Sequence, residues 1–347
     1  MKIRDKDITI GSLKTGIKNC ITDVEGVMVG HVTLDYPINE SSEDYACTGV
    51  TAILPHKGNI FQEKVTAASY VINGFGKTTG LVQLNELGLL ESPIMLTNTF
   101  GVPAVTQGTL EYMLEQNSEI GNTTGTINIV VGECNDSHLN SIRKLPVTPE
   151  HAIQAIQNAS TLQAQEGAIG AGKGMICFGY KGGIGSSSRI CIDKETEYTV
   201  GCLVLSNFGK KEEFNSAKYT SDTKGNSGGL SGTSDGSIII VLATDAPLNE
   251  RQLGRIAKRC SIGLGRTGTH FNHGSGDIVI AFSTAHKFSH HTNESLETRV
   301  QLREDRPIMS ELFAAAAEAT EEAIINSLSQ AKTTVGRIGH VVEAFQF

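Results

Sequence analysis

From Ile238 to Ala243 the chain carries six apolar residues without interruption, most of them β-branched. A strand buried on both faces requires such a run, because a half-exposed strand would alternate with polar residues. Shortly upstream, the stretch from Asp222 to Gly232 is almost entirely turn and linker residues. Ser237 therefore stands where loose chain becomes rigid sheet. At that position the core holds a hydroxyl while a loop leaves it approachable. Read by itself, Asp235-Gly236 is a turn and Ser237 is the polar first residue of a strand.

Elsewhere, short β-branched runs bounded by turn residues predict strands over 29–34, 48–54, 94–97, 127–131, 198–205 and 277–282. Met175–Phe178 and Ser188–Ile192 flank a Gly/Ser-rich connection and read as a hairpin with a long loop. Helices are expected where apolar residues recur at helical spacing. These are 81–87, stopped by Gly88; 106–114; a helix opening at Thr148-Pro149; 249–260; and an Ala-rich helix over 310–328. Strands and helices alternate irregularly, often as hairpins, so the expected class is α/β (α+β) with mixed sheets in a sandwich, not a doubly wound parallel sheet. The 347 residues are read as a single domain.

A net charge of -8 without any Lys/Arg cluster argues against a nucleic-acid partner. The charged start, Met1 to Asp7, leads into no apolar segment of the signal-peptide kind, and no apolar run reaches membrane-spanning length. Seven scattered Cys, with no C-x-x-C pair, read as reduced, buried thiols in a cytoplasmic protein. No Cys/His spacing predicts a metal site, and no cofactor is expected. Gly167–Gly174 only superficially resembles a phosphate-binding loop, since Gly174 follows Lys173 where Ser or Thr would be needed. His270, His273, His286, His290 and His291 stand among Gly, Thr, Asn and Ser and read as loop residues, not as a catalytic base or metal ligands.

Six segments carry a resemblance. They are Gly236–Leu248 (GSIIIVLATDAPL), Ile21–His31 (ITDVEGVMVGH), Thr48–Leu54 (TGVTAIL), Gly80–Gly88 (GLVQLNELG), Lys181–Arg189 (KGGIGSSSR) and Gly274–Thr284 (GSGDIVIAFST). In order and across most of the chain, they resemble the L-aminopeptidase/D-esterase and β-peptidyl aminopeptidase family of self-processing N-terminal serine hydrolases. The resemblance implies a layered αββα-type sandwich and a homo-oligomer, a tetramer of processed protomers. It also implies that the chain cuts itself between Gly236 and Ser237, giving chains 1–236 and 237–347, and that Ser237 is the nucleophile.

The same resemblance gives Ser275 as orienter or proton relay, Asp277 as its electrostatic support and Asn207 as an oxyanion donor. Glu133 becomes the acid that receives the amino group of a short peptide, amide or ester. Unaided, Ser275, Asp277 and Asn207 read as turn residues, and Glu133 as a solvated acid at a strand end. Near this acid the chain departs from the family: Asn135 and His138 stand where an aromatic partner would follow, and Phe75 and Lys77 are atypical for the turn before the first helix.

The chemistry suits the residues. The hydroxyl of an N-terminal Ser attacks and its own α-amine, of pKa about 8, acts as base. Before cleavage the same hydroxyl faces the preceding carbonyl, and Gly236 would tolerate a strained backbone there. Two other functions fit the same fold. One is an acyltransferase of the ornithine-acetyltransferase type, whose nucleophile is Thr where this chain has Ser237. The other is a non-catalytic binding protein, which a chain that stays intact would favour.

Overall fold

A computed structural model describes residues 1–39, 43–220, 228–230 and 236–347. Of the linker expected over 222–232, all but 228–230 lies outside the described residues, as do Thr233 to Asp235. The first strands are Met28–Pro37 (β1), Tyr45–Leu54 (β2), Glu63–Gly74 (β3), Leu89–Leu90 (β4), Ile94–Asn98 (β5) and Val130–Cys134 (β6). There follow Ile176–Cys177 (β7), Tyr180–Lys181 (β8), Gly183–Asp193 (β9), Thr196–Asn207 (β10), Ser237–Thr244 (β11) and Gly276–Ser289 (β12). The α-helices are Leu81–Leu87 (α1), Val102–Gln116 (α2), Pro149–Gln157 (α3), Glu250–Ala257 (α4), Cys260–Arg266 (α5) and Pro307–Ser329 (α6).

One sheet has the order β1-β2-β5-β6 and the other β4-β3-β12-β11-β10-β9. Both are mixed: β5 and β6 are parallel, as are β11 and β12, while the remaining neighbours are antiparallel. β11 explains why the expected apolar run is continuous. Ile238, Ile240 and Leu242 enter a core shared with Leu253, Leu312, Ala316 and Ile324 of the helices. Ile239, Val241 and Ala243 enter a second core with Ile94, Leu96 and Val130 of the smaller sheet. A third core joins the other face of that sheet, at Val50, Ala52, Met95 and Val131, to α2 and α3. The layers are therefore helix, sheet, sheet, helix, as the sequence leads one to expect. Each fully buried Ile of β11 contributes about 1.5–3 kcal/mol, and a register slip of one residue would exchange its two faces.

The main correction concerns residues 183–187. They were expected to be loop and are the first half of β9, paired through Gly183 to Ser206 and Ser187 to Cys202. Gly and Ser are poor strand formers, but here small residues are required: a Cβ on Gly185 would lie 1.9 Å from the Ala323 carbonyl oxygen of α6. β9 pairs with β10, and Met175–Phe178 instead opens the two-residue hairpin β7–β8. Buried Arg189 then ties β9 to α6 through Glu318 and Glu322, at 3.0 and 2.7 Å. The helix expected over 249–260 ends at Ala257 as α4, and a separate helix, α5, begins at Cys260 and continues to Arg266. β3 was not expected at all. Among the described residues, no helix is long and apolar enough to cross a membrane, and all seven Cys are free and buried.

Candidate active site

Strand ends meet at one pole of the larger sheet. Ser237, the first residue of β11, pairs with Asn207, the last of β10, and on its other side with Gly276, the first of β12. Gly276 lies beside Gly74 at the end of β3. Register alone thus brings together Ser237, Asn207 and the Gly274–Asp277 segment, residues far apart in sequence.

The Ser237 hydroxyl donates to the Gly236 carbonyl oxygen at 2.7 Å and accepts from the Gly276 amide at 3.2 Å. That amide also donates to the Gly236 carbonyl oxygen, at 3.1 Å. The hydroxyl therefore lies against the carbonyl of the preceding peptide bond, whose oxygen already has a backbone donor. An internal acyl shift would carry that hydroxyl oxygen onto the adjoining carbonyl carbon, with the Gly276 amide as donor to the oxyanion. Ser237 is buried, so in the uncut chain its hydroxyl faces its own backbone. Crowding also requires Gly236, beside the conformational tolerance expected from the sequence. A Cβ there would lie 2.3 Å from the Asn207 carbonyl oxygen.

Ser275 donates to Asp277 Oδ1 at 2.6 Å. Burial pushes the Asp277 carboxyl up to about 6, against the lowering effect of that hydrogen bond. The turn before them is pinned by Asn73 of β3, whose Nδ2 donates to the carbonyls of Ser275 and Asn272 at 2.6 and 3.0 Å. Asn207 is held at both ends. Its Oδ1 accepts from the Ile176 amide at 2.8 Å, and its Nδ2 donates to the Asn135 carbonyl at 3.0 Å. One Nδ2 hydrogen is left with no partner among the described residues.

Glu133 is not a solvated acid at a strand end. The strand runs from Val130 to Cys134, not 127–131, and Glu133 lies inside it with 3% exposure. Its Oε1 accepts from the Lys77 amide at 2.7 Å and its Oε2 from the Thr99 hydroxyl. Among the described residues it has no cationic partner. The Phe75–Lys77 turn joins it to the nucleophile: a Cβ on Gly276 would lie 2.6 Å from the Phe75 carbonyl oxygen and 3.1 Å from Ser237 Oγ. The atypical residues of that turn stand at the mouth of the site, Phe75 exposed with the Lys77 ammonium 4.8 Å over its ring.

All six predicted site residues converge here. Sequence reasoning missed the Gly276 amide, Asn73, Thr99 and the Lys77 amide. Two of these act through backbone N–H groups, which no residue type announces, and Asn73 lies on the unforeseen β3. Of the five histidines, His286 bonds the Val300 carbonyl and His290 bonds Lys64 and Thr124. Among the described residues no group of three or more His, Cys, Asp or Glu is arranged to hold a metal ion.

The family model for peptidase family S58 matches residues 19–342. The chain belongs to peptidase family S58. It is a hydrolase, an aminopeptidase by family. Among curated proteins, a β-peptidyl aminopeptidase BapA from Sphingosinicella microcystinivorans is 39% identical over 350 residues, covering 95% of this chain and 86% of the relative. Among solved structures, the PH0078 protein from Pyrococcus horikoshii OT3 superposes with a TM-score of 0.92 at 48% identity, covering 99% of this chain and 96% of that one. The L-aminopeptidase D-Ala-esterase/amidase from Ochrobactrum anthropi superposes with a TM-score of 0.88 at 32% identity, covering 99% and 95%. That structure is described as a prototype for the serine aminopeptidases and a variant of the Ntn-hydrolase fold.

Proposed function

We propose that this S58 chain is a self-processing N-terminal serine aminopeptidase acting on short peptides, amides or esters. Ser237 Oγ attacks the Gly236 carbonyl carbon, the Gly236–Ser237 C–N bond breaks, and the hydroxyl proton passes to the leaving nitrogen of Ser237. Water then hydrolyses the resulting ester, giving chains 1–236 and 237–347, with Ser237 bearing a free α-amine. In turnover that amine takes the proton from Oγ as Oγ attacks a substrate carbonyl. The substrate C–N or C–O bond breaks as the acyl-enzyme forms on Ser237, and the α-ammonium returns its proton to the leaving amine or alcohol. Water then hydrolyses the ester to release the product acid. Asn207 Nδ2 donates to the oxyanion, Ser275 supported by Asp277 orients the nucleophile and relays protons, and buried Glu133 receives the substrate ammonium. The similarity to the β-peptidyl aminopeptidase BapA extends the candidate substrates to β-peptides. A homo-oligomer of processed protomers in the cytoplasm completes the proposal; the seven free thiols suit a reducing compartment.

One observation carries this reading: the Gly276 amide donates both to the Gly236 carbonyl oxygen and to Ser237 Oγ. Intact mass and N-terminal sequencing of the purified protein test it. Two chains, the smaller beginning at Ser237, are expected. An active protein consisting of one uncut chain would overturn it.

A further inference from the structure

The reaction as derived leaves one conspicuous group unused. Lys181, at the end of β8, is fully buried. Its ammonium donates to three backbone carbonyls, those of Gly172 at 3.0 Å, Met175 at 2.7 Å and Gly182 at 2.8 Å. Among the described residues it has no ion pair, although Asp136, Cys47 and Cys177 face it and Lys173 lies near. Taking an amine out of water without a carboxylate partner is costly, and burial pushes it down to about 7. A loop that needed only its carbonyls satisfied could use neutral donors.

Of the three carbonyls, that of Met175 shares a peptide unit with the Ile176 amide. That amide is the donor holding Asn207 Oδ1 at 2.8 Å. From Lys181 Nζ a single hydrogen-bonded path therefore runs through the Met175–Ile176 peptide and the Asn207 side-chain amide to the free Nδ2 hydrogen. Every dipole along the path points the same way, with the Lys181 amine, a cation when protonated, at its origin. Such a chain strengthens by about 10–30% per bond, and it fixes the plane of the last donor. The Gly182 amide supports the same Met175 carbonyl at 3.0 Å, and the Asn135 carbonyl fixes the other Nδ2 hydrogen.

We infer that Lys181 is a positioning residue that orients and polarises the Asn207 amide toward the reacting oxyanion. The inference rests on the reading of Asn207 given above, and the test separates the two. Asn207→Ala, Lys181→Met and the double variant are purified, the processed fraction is measured, and kcat and KM are determined per processed chain. Asn207→Ala is expected to lower kcat by roughly 10²–10³. Lys181→Met keeps the aliphatic stem and removes the donors. It should lower kcat about tenfold with KM unchanged, and should lower it no further in the Asn207→Ala background. Lys181→Gln, which keeps two N–H donors without the charge, should fall between Met and the parent. It carries the same cycle if the Met variant does not fold. A Lys181 variant with parental kcat would overturn the inference, as would equal losses with and without Asn207, since Lys181 would then only stabilise the loop. If Asn207→Ala itself retains full kcat, the oxyanion assignment falls instead.

Discussion

Ser275 gives its hydroxyl hydrogen to Asp277 Oδ1 at 2.6 Å, while Oδ2 of that carboxylate is buried with no hydrogen bond among the described residues. The pair is therefore asymmetric, and the desolvation cost of the carboxylate outweighs the relief given by the Ser275 hydroxyl and the Ile238 backbone. This explains why the carboxyl is raised from 3.8 to about 6. Between those values the native state holds a proton that the unfolded chain has lost, so stability falls as pH rises through the interval. Asp277→Asn removes that cost. At pH 8 the variant should be more stable than the parent by on the order of 3 kcal/mol, and the gap should close below about pH 4. Denaturant unfolding across pH measures this; a variant less stable than the parent at pH 8 would contradict it. Its turnover should nevertheless fall, because the Ser275 hydroxyl loses its anionic acceptor.

Glu133 has two neutral donors and no cation among the described residues. A substrate ammonium would supply the missing charge, so a free amino group should be required. An aminoacyl amide should be hydrolysed and its N-acetylated form should not. Glu133→Gln keeps the shape and removes the charge, and should lower kcat/KM for the free amine by about 10–100-fold, the equivalent of a charged hydrogen bond of 1.5–3 kcal/mol. Equal turnover of the two amides would remove Glu133 from this role.

Gly236 offers a test that leaves every polar group of the site in place. A Cβ there would lie 2.3 Å from the Asn207 carbonyl oxygen and 2.7 Å from Phe208 Cα. Both are backbone atoms, so the chain itself must shift. Gly236→Ala should slow self-cleavage and leave mainly uncut chain on a denaturing gel, with a lowered Tm. Parental cutting would mean that the Gly236 carbonyl need not sit between the Gly276 amide and Ser237 Oγ.

Much of this architecture is legible in the sequence because burial on both faces writes itself as an apolar run. Ile238–Ala243 could hardly be anything but a central strand, and its first residue marks the site. Legibility fails where packing, not propensity, decides. Gly183–Ser187 reads as loop, yet it is strand because only small residues let α6 approach so closely. β3 alternates too weakly to stand out, and with it Asn73 was lost. Glu133 looked like a surface acid because a lone carboxylate carries no mark of its burial. The donors on Gly276 and Lys77 are main-chain atoms, and only register reveals them.

Ser237 is asked to do two things, and replacing it separates them. In the uncut chain its oxygen is the hydroxyl touching the Gly236 carbonyl oxygen, at 2.7 Å. Ser237→Ala should therefore remain one intact chain without hydrolase activity, since self-cleavage and turnover lose the same nucleophile. The alanine fits the space that the serine fills, so folding should be unaffected and the intact mass should be that of the whole chain. Ser237→Cys should behave differently. A thiol can perform the acyl shift, so some cutting at the same bond is expected, with peptidase activity altered because the acyl group now leaves from a thioester. The contrast between partial cutting in Cys and none in Ala would tie the cut to the side-chain nucleophile rather than to an external protease. If Ser237→Ala were cut at the same bond and remained fully active, Ser237 would be only the first residue of a strand. The proposed mechanism would then fail at its first step, although the fold and the family would stand.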